Sequence, residues 1–238
     1  MKFLQLVCIE NETTDEQDEV MSTAVFPWVE DTIARRINIT GKPLAPTSTA
    51  KTVRVRNGDT LISDGPFADT KEFIGGFDLL ECESMDEAIE VAAKHPVAWF
   101  NAIELRQLLD SEDVPDHIDH AKLQQMMLVC IDGIAEEPEV EAQIGRDCEA
   151  WREEIEASGV RIAGAPVAPA AQAKTVRVRD GQTIVSDGPL IETKEFLGGF
   201  DLLNCASFDE AVAWAAKHPI ARFHKIEVRN FVDLGHRA

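Results

Sequence analysis

Two six-residue stretches alternate strictly between apolar and polar positions. Lys51-Thr52-Val53-Arg54-Val55-Arg56 and Lys174-Thr175-Val176-Arg177-Val178-Arg179 each place their valines on one face of a strand and their arginines on the other. Asn57-Gly58 and Asp180-Gly181 follow, and these pairs tolerate the positive φ of a tight reversal, so each stretch opens a hairpin returning through Thr60 to Ser63 or Thr183 to Ser186. Shorter apolar runs, Phe3 to Ile9 and Leu128 to Ile131, read as buried strands. Helical recurrence comes next, on Phe26, Trp28, Val29 and Ile33 and on Cys148, Trp151, Ile155 and Val160, the second helix stopping at Ser158-Gly159. Gly41 to Pro46 and Gly164 to Pro169 are proline-punctuated and predict extended surface segments.

The hairpin is left through Asp64-Gly65-Pro66 or Asp187-Gly188-Pro189, because proline cannot donate to a ladder. A strand headed by Gly75-Gly76 or Gly198-Gly199 follows, the glycine pair marking a bulge or a close backbone approach. Ser84-Met85-Asp86-Glu87 and Ser207-Phe208-Asp209-Glu210 have the spacing of a capping box and start a second helix, closed by Lys-His-Pro. Phe100 to Leu105 and Phe223 to Val228 are the last strands.

The stretch from Asp64 to Leu80 returns as Asp187 to Leu203, so the 238-residue chain is a duplication. Each copy runs strand, helix, hairpin, strand, helix, strand. That order predicts an α+β fold of two tandem ferredoxin-like domains, each with an added hairpin, with helices on one face of a mainly antiparallel sheet. The expected boundaries are 1–108 and 124–238, with 109–123 a polar, acidic linker. A second copy could cover the bare sheet face of the first, making the chain its own dimer.

Composition narrows the partners. With 43 acidic against 23 basic residues the formal charge is -20, which disfavours nucleic acid and anionic membrane surfaces. The five cysteines form no C-x-x-C pair, as expected of a reduced, cytoplasmic protein, and the opening apolar run is too short for a signal peptide. No phosphate loop, nucleophile elbow or H-E-x-x-H motif occurs, and no cofactor is expected. His117, Asp119 and His120, with Asp113 and Asp116, are metal-compatible, but a mobile acidic linker explains them better and no metal is expected.

The candidate chemistry is a His/Asp acid-base site in each copy, from Asp64 with His95 and Asp187 with His218. Each element has a structural alternative: the histidine as a helix-end residue facing carbonyls and the helix dipole, the aspartate as a turn former. Arg54, Arg56, Arg177 and Arg179 are candidate substrate contacts, with Glu104, Arg106, Glu227, Arg229 and Asp78 as a shared charged lining. Lys71, Glu72, Lys194 and Glu195 could bind a substrate carboxylate or sit as solvated ion pairs.

Thr-Val-Arg-Val-Arg, Asp64-Gly65-Pro66-Phe67, Gly75-Gly76-Phe77, His95-Pro96 and Ile103-Glu104-Leu105-Arg106 together resemble the YCII-related family, specifically its DGPF-motif branch. The second copy departs at Leu190. The resemblance implies the dimeric α+β barrel, here within one chain, and a site involving histidine and aspartate. It also implies relatives acting on muconolactone-type lactones, so an isomerase- or lyase-like activity on a small lactone or carboxylate is one expectation. The alternative is a non-catalytic interaction or regulatory module, transcription-associated but without DNA binding. The expected partners are a small-molecule ligand and, beyond the pseudo-dimer, a further homodimer.

Overall fold

The structure is a computed structural model that describes residues 1–10, 13–68, 70–112, 114–131, 137–190 and 196–232. The first copy contains β1 (Lys2–Ile9), α1 (Asp15–Ala34), β2 (Asn38–Pro43), β3 (Lys51–Arg56), β4 (Asp59–Asp64), β5 (Phe73–Glu81), α2 (Met85–Lys94) and β6 (Ala102–Gln107). The second contains β7 (Gln125–Ile131), α3 (Pro138–Ala157), β8 (Arg161–Pro166), β9 (Lys174–Arg179), β10 (Gln182–Asp187), β11 (Phe196–Leu203), α4 (Phe208–Lys217) and β12 (Lys225–Asn230).

Two six-stranded sheets result, ordered β10-β9-β6-β1-β5-β2 and β4-β3-β12-β7-β11-β8. The four strands β6-β1-β5-β2, with α1 and α2 between them in sequence, are the ferredoxin-like β-α-β-β-α-β unit, and the second sheet repeats it. Here the pattern reading falls short by a strand in each copy. β2 and β8 were expected as surface segments, yet both pair antiparallel with the strand after the hairpin, Gly41 opposite Asp78 and Gly164 opposite Asp201. Their prolines, Pro43 and Pro166, end edge strands, where a missing N–H costs little.

The hairpins fall differently from the repeat. Hairpin β9–β10 adds to the first sheet through β6, and hairpin β3–β4 adds to the second through β12. The compact units are therefore Met1–Pro43 with Thr70–His120 and Val167–Glu192, and Leu44–Asp69 with Ala121–Pro166 and Thr193–Ala238. They are called unit 1 and unit 2 below.

Buried polar groups fix each hairpin in its unit. In unit 1 the Arg106 guanidinium donates to the Ala168 carbonyl and to Glu104 Oε1 at 3.2 Å, while Glu104 Oε2 accepts the Leu190 N–H at 3.1 Å. Unit 2 repeats this with Arg229 on Ala45 O and Glu227 Oε2 on the Phe67 N–H at 2.9 Å. Arg106 and Arg229 are each only 1% exposed. The Ile-Glu-Leu-Arg strand is thus the socket for the segment after Asp-Gly-Pro, which accounts for two motifs that lie far apart in sequence.

Turn chemistry is as the pattern predicts. Asn57 and Gly58 have φ of 54° and 86°, and Asp180 and Gly181 have 52° and 73°, as a two-residue hairpin of this hand requires. Gly75 and Gly198 are the extra residues of β-bulges against β1 and β7. Ser84 and Ser207 cap α2 and α4, accepting from Glu87 N and Glu210 N.

Helices cover one face of each sheet. In unit 1, Trp28, Ala88, Val91 and Ala92 pack on Phe3, Leu80, Ile103, Leu105 and the imported Val176. Each fully buried aliphatic side chain of this size contributes about 1.5–3 kcal/mol. The inward stripe of α1 is Trp28 and Thr32, whereas Phe26 and Ile33, expected on it, are 50% and 55% exposed. The hydroxyl of Thr32 is spent on the Trp28 and Val29 carbonyls, which lets a polar residue sit on the buried face.

The connector makes buried contacts. Val114, Ile118 and Leu123 are buried, Ile118 N–H bonds Ile39 O, and Lys2 Nζ binds Val114 O and Asp116. Asp113 lies outside the described residues. Among the described residues no group of three His, Cys, Asp or Glu side chains is placed to hold a metal ion, and no helix is long and apolar enough to cross a membrane.

Candidate functional site

The histidine of Lys-His-Pro is buried at the end of its helix. His95 ends α2 and begins the single 3-10 turn Pro96–Trp99, where its Nδ1 accepts the Val97 N–H at 3.2 Å. That bond fixes the tautomer: with Nδ1 an acceptor, the proton of the neutral ring sits on Nε2. Burial lowers the imidazole to about 3, so at neutral pH it carries no charge for the helix dipole to attract. The Trp28 ring meets it edge-on, centroids 4.5 Å apart at 75°, and Trp28 is tied by its Nε1–H to Val91 O.

The carboxylate facing Nε2 is Asp78, with Oδ2 at 3.9 Å. Asp78 stands on β5 opposite Gln5 of β1 and Gly41 of β2. Gln5 Nε2 donates to Oδ2 at 2.7 Å and Asn38 Nδ2 to Oδ1 at 3.4 Å. A Cβ on Gly41 would overlap Oδ1, so glycine there makes the seat for the carboxylate. Among the described residues no cation answers this buried acid, and desolvation pushes it up to about 7 despite the two amide donors. Gln5 is itself fully buried, and its Oε1 has no partner among the described residues.

Unit 2 repeats the frame with different chemistry. His218 accepts the Ile220 N–H through Nδ1 at 3.2 Å and packs on Trp151, centroids 4.3 Å apart. Asp201 sits over Gly164 as Asp78 sits over Gly41. However, Arg161 replaces Asn38, and its Nε donates to Asp201 Oδ1 at 2.7 Å. Its remaining nitrogens bind Glu156 and Gly164 O, so the guanidinium is spent within the unit.

The expected partner of each histidine belongs to the other unit. Asp64 belongs to unit 2 and His95 to unit 1, while Asp187 belongs to unit 1 and His218 to unit 2. Asp64 is exposed and ion-paired with Lys51, and Asp187 with Lys174 at 2.5 Å. Each holds the end of its hairpin. Gly65 and Gly188 take φ of 96° and 90°, completing Asp-Gly-Pro as a turn.

The arginines of the alternating strand are likewise occupied. Arg56 donates to the carbonyls of Ala221, Arg222 and Phe223, and Arg179 to those of Ala98, Phe100 and Asn101, closing the 3-10 turns after each histidine. Arg177 pairs with both oxygens of Glu10, at 2.7 and 2.9 Å, and Arg54 is half-buried on β3. Glu104 and Arg106 share a sheet face with Leu4 and Leu6, whereas Asp78 shares the helix-covered face with Gln5 and Leu105, so the charged residues form no common lining. Lys71 is exposed and Glu72 half-buried, while Lys194 and Glu195 lie outside the described residues.

Sequence reasoning singled out both histidines as candidates but not Gln5, Asn38, Gly41 or Asp78 as the surroundings of His95. One signal was available: Asp78 interrupts the apolar run Phe77 to Leu80, and an acid inside a buried strand needs a reason.

An α+β protein with two ferredoxin-like sheets, each covering a buried aspartate and histidine with helices, is the class these features define. The YCII-related domain model matches residues 1–112 and again 125–234, and the chain belongs to that family. An uncharacterized protein of Rhizobium meliloti (strain 1021) is 51% identical over 49 residues, covering 21% of this chain and 40% of its own length. A crystal structure assigned by name to the chlorite dismutases aligns over 98% of this chain and 94% of its own, with 9% identity and a TM-score of 0.44.

Proposed function

We propose that the chain binds a small polar molecule and exchanges a proton with it at a centre made by Asp78 and His95. The observation that carries this reading is a buried carboxyl raised to about 7, faced at 3.9 Å by an imidazole whose Nε2 bears the proton. A group titrating near the working pH is the effective general acid or base, and a carboxylate buried without a cation is retained at a cost in stability. The roles are the reverse of a triad: Asp78 carries the mobile proton, and His95 Nε2–H is a fixed donor to a substrate oxygen. A small hydroxy acid or a five-membered lactone offers both an acidic C–H or O–H and an oxygen to receive that bond.

The test is thermal stabilisation by a panel of short hydroxy acids and five-membered lactones, since a ligand that binds the native state raises Tm. The proposal expects stabilisation by at least one member, lost in Asp78→Asn and weakened in His95→Gln. Equal stabilisation of wild type and Asp78→Asn by every active member would refute it. We place the chain in the DGPF-motif branch on its Gly65 turn and Phe67 N–H contact, and propose the pseudo-dimeric barrel of that group, which small-angle scattering checks. Cytoplasmic residence is proposed on its five free cysteines.

A further inference from the structure

The two copies differ at the positions that touch the buried carboxylate. Asp78 is faced by Gln5 from β1, Asn38 from β2 and His95 from the end of α2, with Trp28 of α1 behind the imidazole. None of these is a cation at neutral pH. At the equivalent places unit 2 has Met127 for Gln5 and Arg161 for Asn38. Asp201 is thus faced by a guanidinium from β8, with Glu156 of α3 on the far side of that guanidinium, while Cys148 of α3 feels the Asp201 charge and His218 at the end of α4 feels that of Arg161.

We infer that the copies have divided their roles: the carboxyl able to exchange a proton is Asp78 of unit 1, and Arg161 has turned Asp201 into one side of a fixed ion pair. This rests on the acid-base reading above and assigns it to one copy. Three observations converge. Arg161 has a partner on each of its nitrogens, two of them acids, so it holds Asp201 in one place and is itself held. The side chains of Arg161 and Asp201 are 7% and 6% exposed, so the ion pair is little weakened by solvent screening. Unit 1, in contrast, retains an unsatisfied buried acceptor, Gln5 Oε1, beside its carboxylate. Met127 removes that acceptor from unit 2. A buried unpaired acceptor next to a titrating acid suits a ligand hydroxyl or amide N–H, or the acid's own proton after rotation of the Gln5 amide. Burial raises both acids, and the guanidinium of Arg161 opposes that rise at Asp201, where at Asp78 only two neutral amides do.

The experiment is a carbon-detected NMR titration of the aspartate carboxyls in the full chain, as wild type, Arg161→Asn and Asn38→Arg. Removing the guanidinium is expected to raise the Asp201 midpoint by about 1–3 pH units, and Asn38→Arg to lower that of Asp78 by a similar amount. Asn38→Arg serves alone if Arg161→Asn does not fold. A wild-type Asp201 titrating at or above Asp78, or midpoints unmoved in the folded variants, would overturn the division. Ligand binding separates this from the parent reading. Stabilisation by the lactone and hydroxy-acid panel lost in Asp201→Asn but kept in Asp78→Asn refutes the division, while no stabilisation at all, with the titrations as expected, refutes the activity alone.

Discussion

Replacing Asp78 by asparagine is expected to leave stability nearly unchanged at about pH 4 and to increase it at about pH 8. The carboxyl ionises near 3.8 in the unfolded chain and about 7 in the folded one. Below the first value both states hold the proton and the group contributes nothing to the pH dependence. Between the two, the unfolded chain gives up its proton while the folded one keeps it, so wild-type stability falls as pH rises, by about 1.4 kcal/mol per unit. Above the folded value the loss levels off at an upper bound of about 4 kcal/mol. His95 runs the other way: lowered from 6.5 to about 3, it stabilises the fold above the unfolded value and loses that contribution as pH falls. The two opposing slopes overlap between the unfolded values, so only the difference between variant and wild type isolates Asp78. The introduced amide fits once the Gln5 amide rotates, because it can then accept from Asn38 and donate to Gln5 Oε1. Urea unfolding followed by tryptophan fluorescence at several pH values reads the difference, Trp28 being 6% exposed beside His95. A gain of about 2 kcal/mol or more at pH 8, shrinking toward pH 4, is the expected result. A gain that does not vary with pH, or a loss at pH 8, would refute the account of a buried acid without a cation.

Three further outcomes follow from other parts of the fold. Arg36, exposed at φ 60° just past α1, occupies the place that Gly159 fills after α3, and Arg36→Gly should stabilise by about 0.5–1 kcal/mol in urea melts. Glu104→Ala strips the buried Arg106 of its acid and the Leu190 N–H of its acceptor; it should cost about 3–5 kcal/mol and speed amide exchange across β9 and β10. Gly41→Ala drives a methyl into Asp78 Oδ1, so loss of stability should be accompanied by a changed Asp78 titration, whereas Gly58→Ala, in open space, should show only the cost of its positive φ.

Much of this architecture is local and therefore legible in the residues. Val-Arg-Val-Arg alternation, Asn57-Gly58 and Asp180-Gly181, the Ser84 and Ser207 caps and the Gly75 and Gly198 bulges act within a few residues, through backbone sterics and nearby hydrogen bonds, and each appears where the pattern puts it. The duplication is a property of the string itself. β2 and β8 were hidden because their glycine and prolines argue against a strand, and only pairing to β5 and β11 reveals why they are tolerated.

Which hairpin joins which sheet was a tertiary decision. The alternating strand pairs equally well by pattern with either last strand, since Ile103-Glu104-Leu105-Arg106 and Ile226-Glu227-Val228-Arg229 carry the same socket. The buried histidines were visible in sequence, and Asp78 stood out as an acid in an apolar run, but its contact from β5 with the end of α2 has no sequence signature, while Asp64, in the conspicuous Asp-Gly-Pro, is exposed and bound to Lys51. The sequence determined the elements and their repetition, because those depend on neighbours along the chain. Only packing decided that the acid facing His95 would be desolvated, uncompensated and so able to titrate near neutrality.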